Sequence, residues 1–209
     1  MVAYGLVRGR LVAVWETSPM ITEAVRDYCI KKWGMPVKRQ WFHNDVGMTV
    51  DVFKWTPEAT GEGVTTYITV GASARPMNGW DSKHRAEFFV GLKPEQDGVM
   101  QRLAMLAAYP AMTGKAVDHG HTVTLDDPLW PGSEMRTFLI LRQLDDVLPA
   151  LLLSGGLHIE FLQVVPIHDS ELQFKNVHGV TALFQRWRDV ELAFWDPWRD
   201  PVPAPGAQS

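Results

Sequence analysis

The sequence predicts an α+β fold in which a mixed, largely antiparallel central sheet is packed by helices. Between residues 38 and 92, apolar residues alternate with a period of two in three or four successive runs separated by turns, a pattern typical of an antiparallel meander. Segments 19–33 and 97–109 instead repeat their apolar residues at helical spacing. Segment 161–165 is mostly apolar on both faces, so we expect the strand that begins at Leu157 to be covered on both sides.

Composition places the chain among ordinary globular proteins. Its 209 residues are 46% hydrophobic and 21% charged, which allows a sizeable core. We expect one domain over 1–195 and a Pro-rich tail over 196–209 that is extended and poorly ordered at its end. The net charge of -4 argues against a nucleic-acid binder that uses a broad basic face. The sequence has no long apolar run, so we expect no membrane span, and the N-terminus is a poor signal peptide.

The first elements are a hairpin and a helix. Gly5 and Gly9 interrupt the apolar runs of residues 2–15, and we expect a hairpin around Gly9. Ser18 is expected to cap a helix that starts at Pro19 and stops at Gly34. Cys29, the single cysteine, lies on the apolar stripe of this helix. We therefore expect a buried, unreactive thiol, no disulfide and a cytoplasmic protein.

Four strands and a second helix follow. The strands are predicted at Lys38–His43, Met48–Trp55, Val64–Gly71 and Arg85–Leu92. The helix over Asp97–Tyr109 is expected to end at Pro110, because proline disfavours a helical conformation in the residue before it.

The last third of the chain combines strands with two helices. Short strands are predicted at His121–Leu125 and Met135–Leu141, ahead of the central strand. Strand pairing should stop at Pro166, which has no N–H to donate. Asp169 or Ser170 can cap a helix that begins with Glu171.

Gly179 separates that helix from a last one at Val180–Leu192. Its inward-facing residues are expected to be Leu183, Phe184, Trp187 and Val190.

A search for catalytic motifs returns no reaction. There is no Gly-rich phosphate loop and no Gly-x-Ser-x-Gly elbow. His119 and His121 flank Gly120 at a spacing that can place both imidazoles on one side of a strand, and Asp118 can complete half of a metal site. Alternatively, the two histidines orient a loop by hydrogen bonding.

Two strand glutamates are candidates for acid–base chemistry. Glu87 and Glu160 both lie within predicted strands and can form paired carboxylates. The alternative is that they lie on a solvated face or pair with an arginine such as Arg85 or Arg136.

Five blocks, taken in order, resemble the suppressor of fused domain family. They are KHRAEFFVGLKPE, VMQRLAMLAAY, the Gly120-His121 step into a strand, DPLWPGSEMRTFLIL, and FLQVVPIHDSEL followed by Gly179-Val180. The resemblance covers roughly Ile21 to Val190 and implies a mixed α+β domain that binds rather than catalyses. Animal members hold a short peptide of the Gli transcription factors as an extended strand, which is strand addition.

The resemblance also implies binding residues. Tyr109 is the counterpart of a tyrosine that lines the peptide cleft near the end of the preceding helix. In animal members an acidic residue stands just before the histidine that corresponds to His121. Here Gly120 occupies that place and Asp118 is the nearest acid. The resemblance implies no catalytic residue, metal or cofactor.

The leading hypothesis is a non-enzymatic, cytoplasmic module that binds another protein or an extended peptide. Stand-alone members resemble bacterial proteins that include predicted immunity proteins, so the partner expected is a toxin, and an acidic chain suits a basic toxin. Two alternatives remain: a small metal-dependent hydrolase using His119 and His121, and a structural subunit whose exposed tryptophans and Pro-rich tail dock to a larger assembly. Neither nucleic acid nor membrane is an expected partner.

Overall fold

The computed structural model describes residues 3–7, 10–14, 19–44, 47–77, 79, 81–143 and 146–203, with the backbone alone for the first two ranges. The strands are β1 (Ala3–Val7), β2 (Arg10–Val14), β3 (Lys38–His43), β4 (Thr49–Trp55), β5 (Thr65–Val70), β6 (His84–Leu92), β7 (Thr122–Thr124), β8 (Thr137–Leu141), β9 (Leu151–Leu153) and β10 (Leu157–Ile167). The helices are α1 (Pro19–Trp33), α2 (Pro57–Thr60), α3 (Val99–Thr113), α4 (Asp169–His178) and α5 (Val180–Asp189).

The main sheet has eight strands, and its path runs β3-β4-β5-β6-β10-β8-β7, with β9 paired to β10. Strands β3 to β6 form the antiparallel meander that the sequence predicts. β10 is parallel to β6 and antiparallel to β8. The predicted fold class, a mixed and mostly antiparallel sheet with helices, is confirmed. β1 and β2 pair as the expected hairpin, whose turn at residues 8–9 lies outside the described residues.

β10 is covered on both faces, as its apolar pattern predicts. Leu162 and Val164 join the core cluster that includes the buried side of α3. Phe161 packs on the other face with Cys29 of α1, and Ile167 packs there with α5. Burying a large apolar side chain contributes about 1.5–3 kcal/mol. Because β10 buries such side chains on both faces, it stabilises the packing of the helices on each side of the sheet.

The prediction that pairing stops at Pro166 is wrong. Pro166 lies opposite Phe138 in the β10–β8 ladder, and Ile167 lies opposite Thr137. The carbonyl of Pro166 accepts a hydrogen bond from Arg199, so it points away from β8. Within an extended strand the N and C=O of one residue point to the same side, so the ladder with β8 does not need the missing N–H.

The prediction that α3 ends at Pro110 is also wrong. The helix continues to Thr113, with Pro110 buried inside it. Gly114 ends it in the left-handed conformation, at φ 72°, and its N–H donates to the Pro110 carbonyl. A left-handed glycine is a common helix end because it has no Cβ to clash.

The N-terminal helix agrees with its prediction, since α1 runs from Pro19 to Trp33. The predicted cap, Ser18, lies outside the described residues. Cys29 is fully buried, and burial raises the pKa of its thiol to about 12. A thiol with so high a pKa is a poor nucleophile.

Other boundaries differ from the prediction. The cap of α4 is His168 rather than Asp169 or Ser170, and its N–H donates to Glu171 Oε2 at 2.9 Å. α5 ends at Asp189, which leaves Val190 49% exposed rather than inward. The short elements α2 and β9 were not predicted.

Residues 196–203 of the predicted tail pack on the domain. Arg199 and Val202 are both buried. The Arg199 guanidinium forms a bidentate ion pair with Glu171, with N–O distances of 2.7 and 2.8 Å. Residues 204–209 lie outside the described residues.

Asp97 anchors the start of α3 to the meander. Its carboxylate accepts hydrogen bonds from Lys38 and Lys54, both at 2.7 Å, and from the Tyr67 hydroxyl at 3.1 Å. Desolvation raises the pKa of Asp97, but the hydrogen bonds from the two ammonium groups outweigh it and leave the pKa below its usual value.

Asp97 is expected to make stability depend on acidity. With a folded-state pKa below the unfolded value of 3.8, its contacts stabilise the fold above that value. The stabilisation is lost as pH falls through the folded-state pKa. Between about pH 5 and pH 2, the free energy of unfolding of Asp97→Asn in urea should therefore fall less than that of the unmodified protein. Asp127→Asn, at an exposed carboxylate, is the control; an equal fall in all three proteins would contradict the prediction.

Candidate functional site

β7 forms one edge of the main sheet. Among the described strands it pairs with β8 only. His121 O accepts a hydrogen bond from the Ile140 N–H, and the Leu125 N–H donates to Arg136 O, both at 2.9 Å. Because the bonding side alternates along an antiparallel strand, the odd-numbered residues face β8. The N–H and C=O groups of the remaining residues, Thr122 and Thr124, therefore point outward.

A tight turn leads into this edge. Gly120 has φ 81°, a left-handed conformation that a side chain would strain. Its N–H donates to Ile140 O at 2.8 Å, which fixes the turn to β8. An acidic residue is therefore disfavoured at this position, and the nearest carboxylate comes from Asp118 at the start of the same turn.

Asp118 and His121 contact each other within the turn. The Asp118 N–H donates to His121 Nδ1 at 3.1 Å, and the His119 N–H donates to the Asp118 carboxylate at 2.6 Å. Asp118 is partly buried, whereas the His121 side chain is exposed. The two residues thus form one small polar unit beside the free backbone of β7.

The imidazoles of His119 and His121 hold the turn together. His119 Nδ1 accepts from the Arg142 N–H at 3.2 Å, and His121 Nδ1 accepts from the Asp118 N–H. A neutral ring that accepts at Nδ1 carries its proton at Nε2. Both rings therefore orient a loop, as one interpretation of the sequence held. The described residues contain no group of three or more His, Cys, Asp or Glu that could hold a metal ion.

A strip of ionisable side chains extends from this turn across the sheet. Arg142 lies 3.6 Å from the Asp118 carboxylate and 3.6 Å from that of Glu160. Glu160 lies 3.4 Å from His84 Nε2, which lies 3.3 Å from His158 Nδ1. Partial exposure along the strip makes its ion pairs weak contributors to stability and leaves their polar groups accessible to a partner.

The predicted carboxylate pair does not exist, because Glu87 and Glu160 lie on opposite faces of the sheet. In the β6–β10 ladder, Glu160 pairs with Ala86, and Glu87 pairs with Phe161. Residues paired across a ladder share a face and successive residues alternate. Glu160 therefore lies on the α3 face, and Glu87 lies on the face that packs against α1.

Glu87 is fully buried. Its carboxylate accepts five hydrogen bonds, from the Thr69 and Ser73 hydroxyls and from the backbone N–H groups of Gly71, Ala72 and Ser73. Burial raises the pKa of Glu87, and these hydrogen bonds oppose the shift. The carboxylate therefore fixes the turn after β5 and is closed to solvent.

An apolar groove of about 290 Å³ runs beside α3. Its lining includes Phe42 of β3 and Leu125, which follows β7. Met105 and Met112 are 43% and 58% exposed along it. Tyr109, half-buried, lies between them on the helix. Methionines adapt to varied apolar partners, so this groove suits side chains of a bound polypeptide.

The structure brings together two of the three predicted binding residues. Asp118 and His121 are in contact, whereas Tyr109 makes no hydrogen bond to either among the described residues. Tyr109 and Leu125 line the same groove, and Leu125 directly follows β7, so Tyr109 lies near the β7 edge. Sequence reasoning missed Met105 and Met112. Their seven-residue spacing on one side of α3 was the available signal, since it corresponds to about two helical turns.

A second groove, of about 440 Å³, lies under α5 and is lined by Phe184, Trp187, Leu192 and Trp195, among others. The described residues that line it all belong to α5 or to the segment that follows α5, so this lining offers no strand backbone for strand addition. None of the described helices has the length and apolar character needed to cross a membrane.

The family model for suppressor of fused protein (SUFU) matches residues 47–200. A protein described as a SUFU homologue from Neisseria gonorrhoeae FA 1090 is similar in structure, with a TM-score of 0.67 and 20% identity over 90% of this chain and 99% of that chain. The structure of the Sufu–Fu complex matches with a TM-score of 0.60 and 13% identity, over 88% of this chain and 91% of that chain. The structure of Drosophila Suppressor of Fused matches with a TM-score of 0.58 and 14% identity, over 80% of this chain and 46% of that chain. Comparison with curated proteins found no match.

At these identities the structural likenesses show the fold alone. The family model, however, spans most of the chain, including β4 to β6, α3, the β7 edge and β10. The chain belongs to the suppressor of fused (SUFU) family.

Proposed function

We propose that this chain is a non-enzymatic, cytoplasmic module that captures an extended segment of another protein by strand addition at β7. The observation that carries the proposal is the outward backbone of Thr122 and Thr124 beside the apolar groove at Tyr109. Strand addition obtains affinity from main-chain hydrogen bonds and specificity from pockets for alternate side chains. β7 supplies the first, and the groove supplies the second.

The polar unit at the start of β7 adds direction to such a contact. Asp118 presents a partly buried carboxylate and His121 an exposed ring whose Nε2 carries a proton. A carboxylate accepts and an Nε2–H donates, so one end of the bound segment meets groups of both kinds. The methionines of α3 contact its apolar side chains at the other end.

The test uses a phage-displayed library of twelve-residue peptides as the probe. Peptides selected on the unmodified protein should lose at least about tenfold in affinity, or about 1.4 kcal/mol, with Thr124→Pro. Proline at this position removes an outward N–H and leaves the backbone bonds to β8 intact, although the hydroxyl contact between Thr124 and Thr137 at 2.9 Å is lost. Fluorescence anisotropy of labelled peptides gives the affinities, and urea unfolding verifies that the variant is folded.

Trp41→Pro, at an outward position of the opposite edge β3, is the matched control and should leave peptide affinity unchanged. Met105→Glu should weaken binding, because it places a charge in the groove. Selected peptides that bind Thr124→Pro and Trp41→Pro equally well would contradict the β7 site.

A more specific proposal is that the captured protein is a toxin and that this chain is its immunity protein. Its support is the resemblance to single-domain bacterial members and the net charge of -4, which suits a basic target. Co-expression with a toxin encoded beside it tests the proposal, and unchanged lethality would end the immunity role while leaving the β7 site open.

A further inference from the structure

The opposite edge of the main sheet, β3, also has a free side. Among the described strands β3 pairs with β4 only. The Asn44 N–H donates to Met48 O at 3.1 Å in that ladder, so the even-numbered residues of β3 bond to β4. The odd-numbered residues direct their N–H and C=O groups outward; these are Arg39, Trp41 and His43.

Large apolar side chains accompany this free backbone. Trp41 is 69% exposed, Val37 is 60% exposed and Met35 is 74% exposed. All three lie within one short stretch of chain that enters and forms the edge. A tryptophan that remains this exposed beside unpaired backbone is typical of an interaction surface, because Trp is enriched where partners dock.

The usual protection of an edge strand is weak here. Charged side chains on an edge normally repel a second strand. Lys38, however, is paired with Asp97, and Arg39 is paired with Asp51, each at 2.7 Å. The charges of Lys38 and Arg39 are thus largely neutralised within their own chain. Charge repulsion between two copies of β3 is correspondingly weak.

We propose that β3 is the interface of a homodimer, in which β3 of one copy pairs antiparallel with β3 of a second copy. The register centred on Trp41 pairs every outward residue of one copy with an outward residue of the other. Trp41 then lies opposite its own copy, and Arg39 lies opposite His43. No two permanently charged side chains of like sign face each other, and an aromatic cross-strand pair forms at the centre.

This interface is isologous, because one patch pairs with itself about a twofold axis. It is small, since a six-residue edge with three apolar side chains buries less than the roughly 1,200 Å² typical of stable complexes. We therefore expect a dissociation constant that is micromolar or weaker. The dimer joins two sheets into one and places a β7 edge at each end, so a partner with two binding segments gains avidity.

Sedimentation velocity at pH 8 across about 10 µM to 1 mM tests the dimer. The sedimentation coefficient of the unmodified protein should rise with concentration, and that of Trp41→Lys should stay at the monomer value. Trp198→Lys, which replaces another exposed tryptophan, and Thr124→Pro at the other edge should associate like the unmodified protein. A monomer at all concentrations, or association unchanged by Trp41→Lys, would overturn the proposal.

A cross-linking variant tests the register. Residues of a hydrogen-bonded antiparallel pair have Cα atoms about 5.5 Å apart, which lies within the range that a disulfide spans. Trp41→Cys should therefore form a disulfide-linked dimer under mild oxidation much faster than Trp198→Cys. Cys29 is buried and does not compete. Equal rates would overturn the Trp41-centred pairing. If the protein is monomeric but library peptides require the β3 edge, that edge accepts another chain and the homodimer is wrong; the β7 proposal is tested separately.

Discussion

Replacing Arg199 by methionine is expected to lower the free energy of unfolding by about 3–5 kcal/mol, the usual cost of stranding one partner of a buried ion pair. Arg199 and Glu171 are 4% and 1% exposed at their side chains. The guanidinium also donates to the Pro166 carbonyl at 3.0 Å. Its loss leaves a buried carboxylate without a counter-charge and frees residues 196–203 from β10. Urea unfolding measures the first effect, and limited proteolysis of the C-terminal segment measures the second.

Two further variants separate charge from position. Arg136→Met breaks an exposed ion pair with Asp169, which lies on α4 like Glu171. This change should alter the free energy of unfolding little. The double variant Arg199→Met, Glu171→Met should recover part of the loss, because no charge is then left buried. Equal effects of Arg199→Met and Arg136→Met would show that the buried pair does not fasten this segment.

Replacing Glu87 by alanine is expected to cost about 4 kcal/mol or more in the free energy of unfolding. The change leaves the N–H groups of Gly71, Ala72 and Ser73 without their acceptor in a buried site, and each unsatisfied donor costs about 1–3 kcal/mol. Glu87→Gln should cost less, because its amide oxygen still accepts from part of this set. Denaturant unfolding gives the ranking of the three proteins.

The control is Glu160→Ala, on the opposite face of the same pair of strands, where the side chain is only partly buried. It should cost much less than Glu87→Ala. If both glutamates cost the same, the carboxylate of Glu87 does not organise the turn after β5.

Local patterns carry much of the fold. The period of two predicts β3 to β6, and the two-sided apolar run predicts a covered β10. Both predictions work because the spacing of apolar residues reflects which faces of a strand are buried. The error at Pro166 has a geometric cause. A sequence shows that an N–H is missing, but whether the structure needs that N–H depends on the direction in which it would point.

The candidate site shows the same division. Asp118, Gly120 and His121 are neighbours in the chain, so their turn follows from local chemistry. The groove depends on α3 lying beside β3 and the end of β7, residues far apart in sequence, and no local pattern predicts that contact. The sequence offers Glu87 as an acid–base candidate or as a solvated or arginine-paired glutamate, but not as a buried acceptor, because its backbone donors lie in the turn after another strand, β5.

The parallel pairing of β6 with β10 has a consequence for biosynthesis. Residues 84–89 meet their partners only when residues 158–163 have left the ribosome. Until then β6 is an unpaired, apolar edge strand of the nascent meander, and unpaired apolar edge strands promote aggregation. Chains released early, before β10 is made, should therefore accumulate as insoluble material rather than as a smaller folded protein.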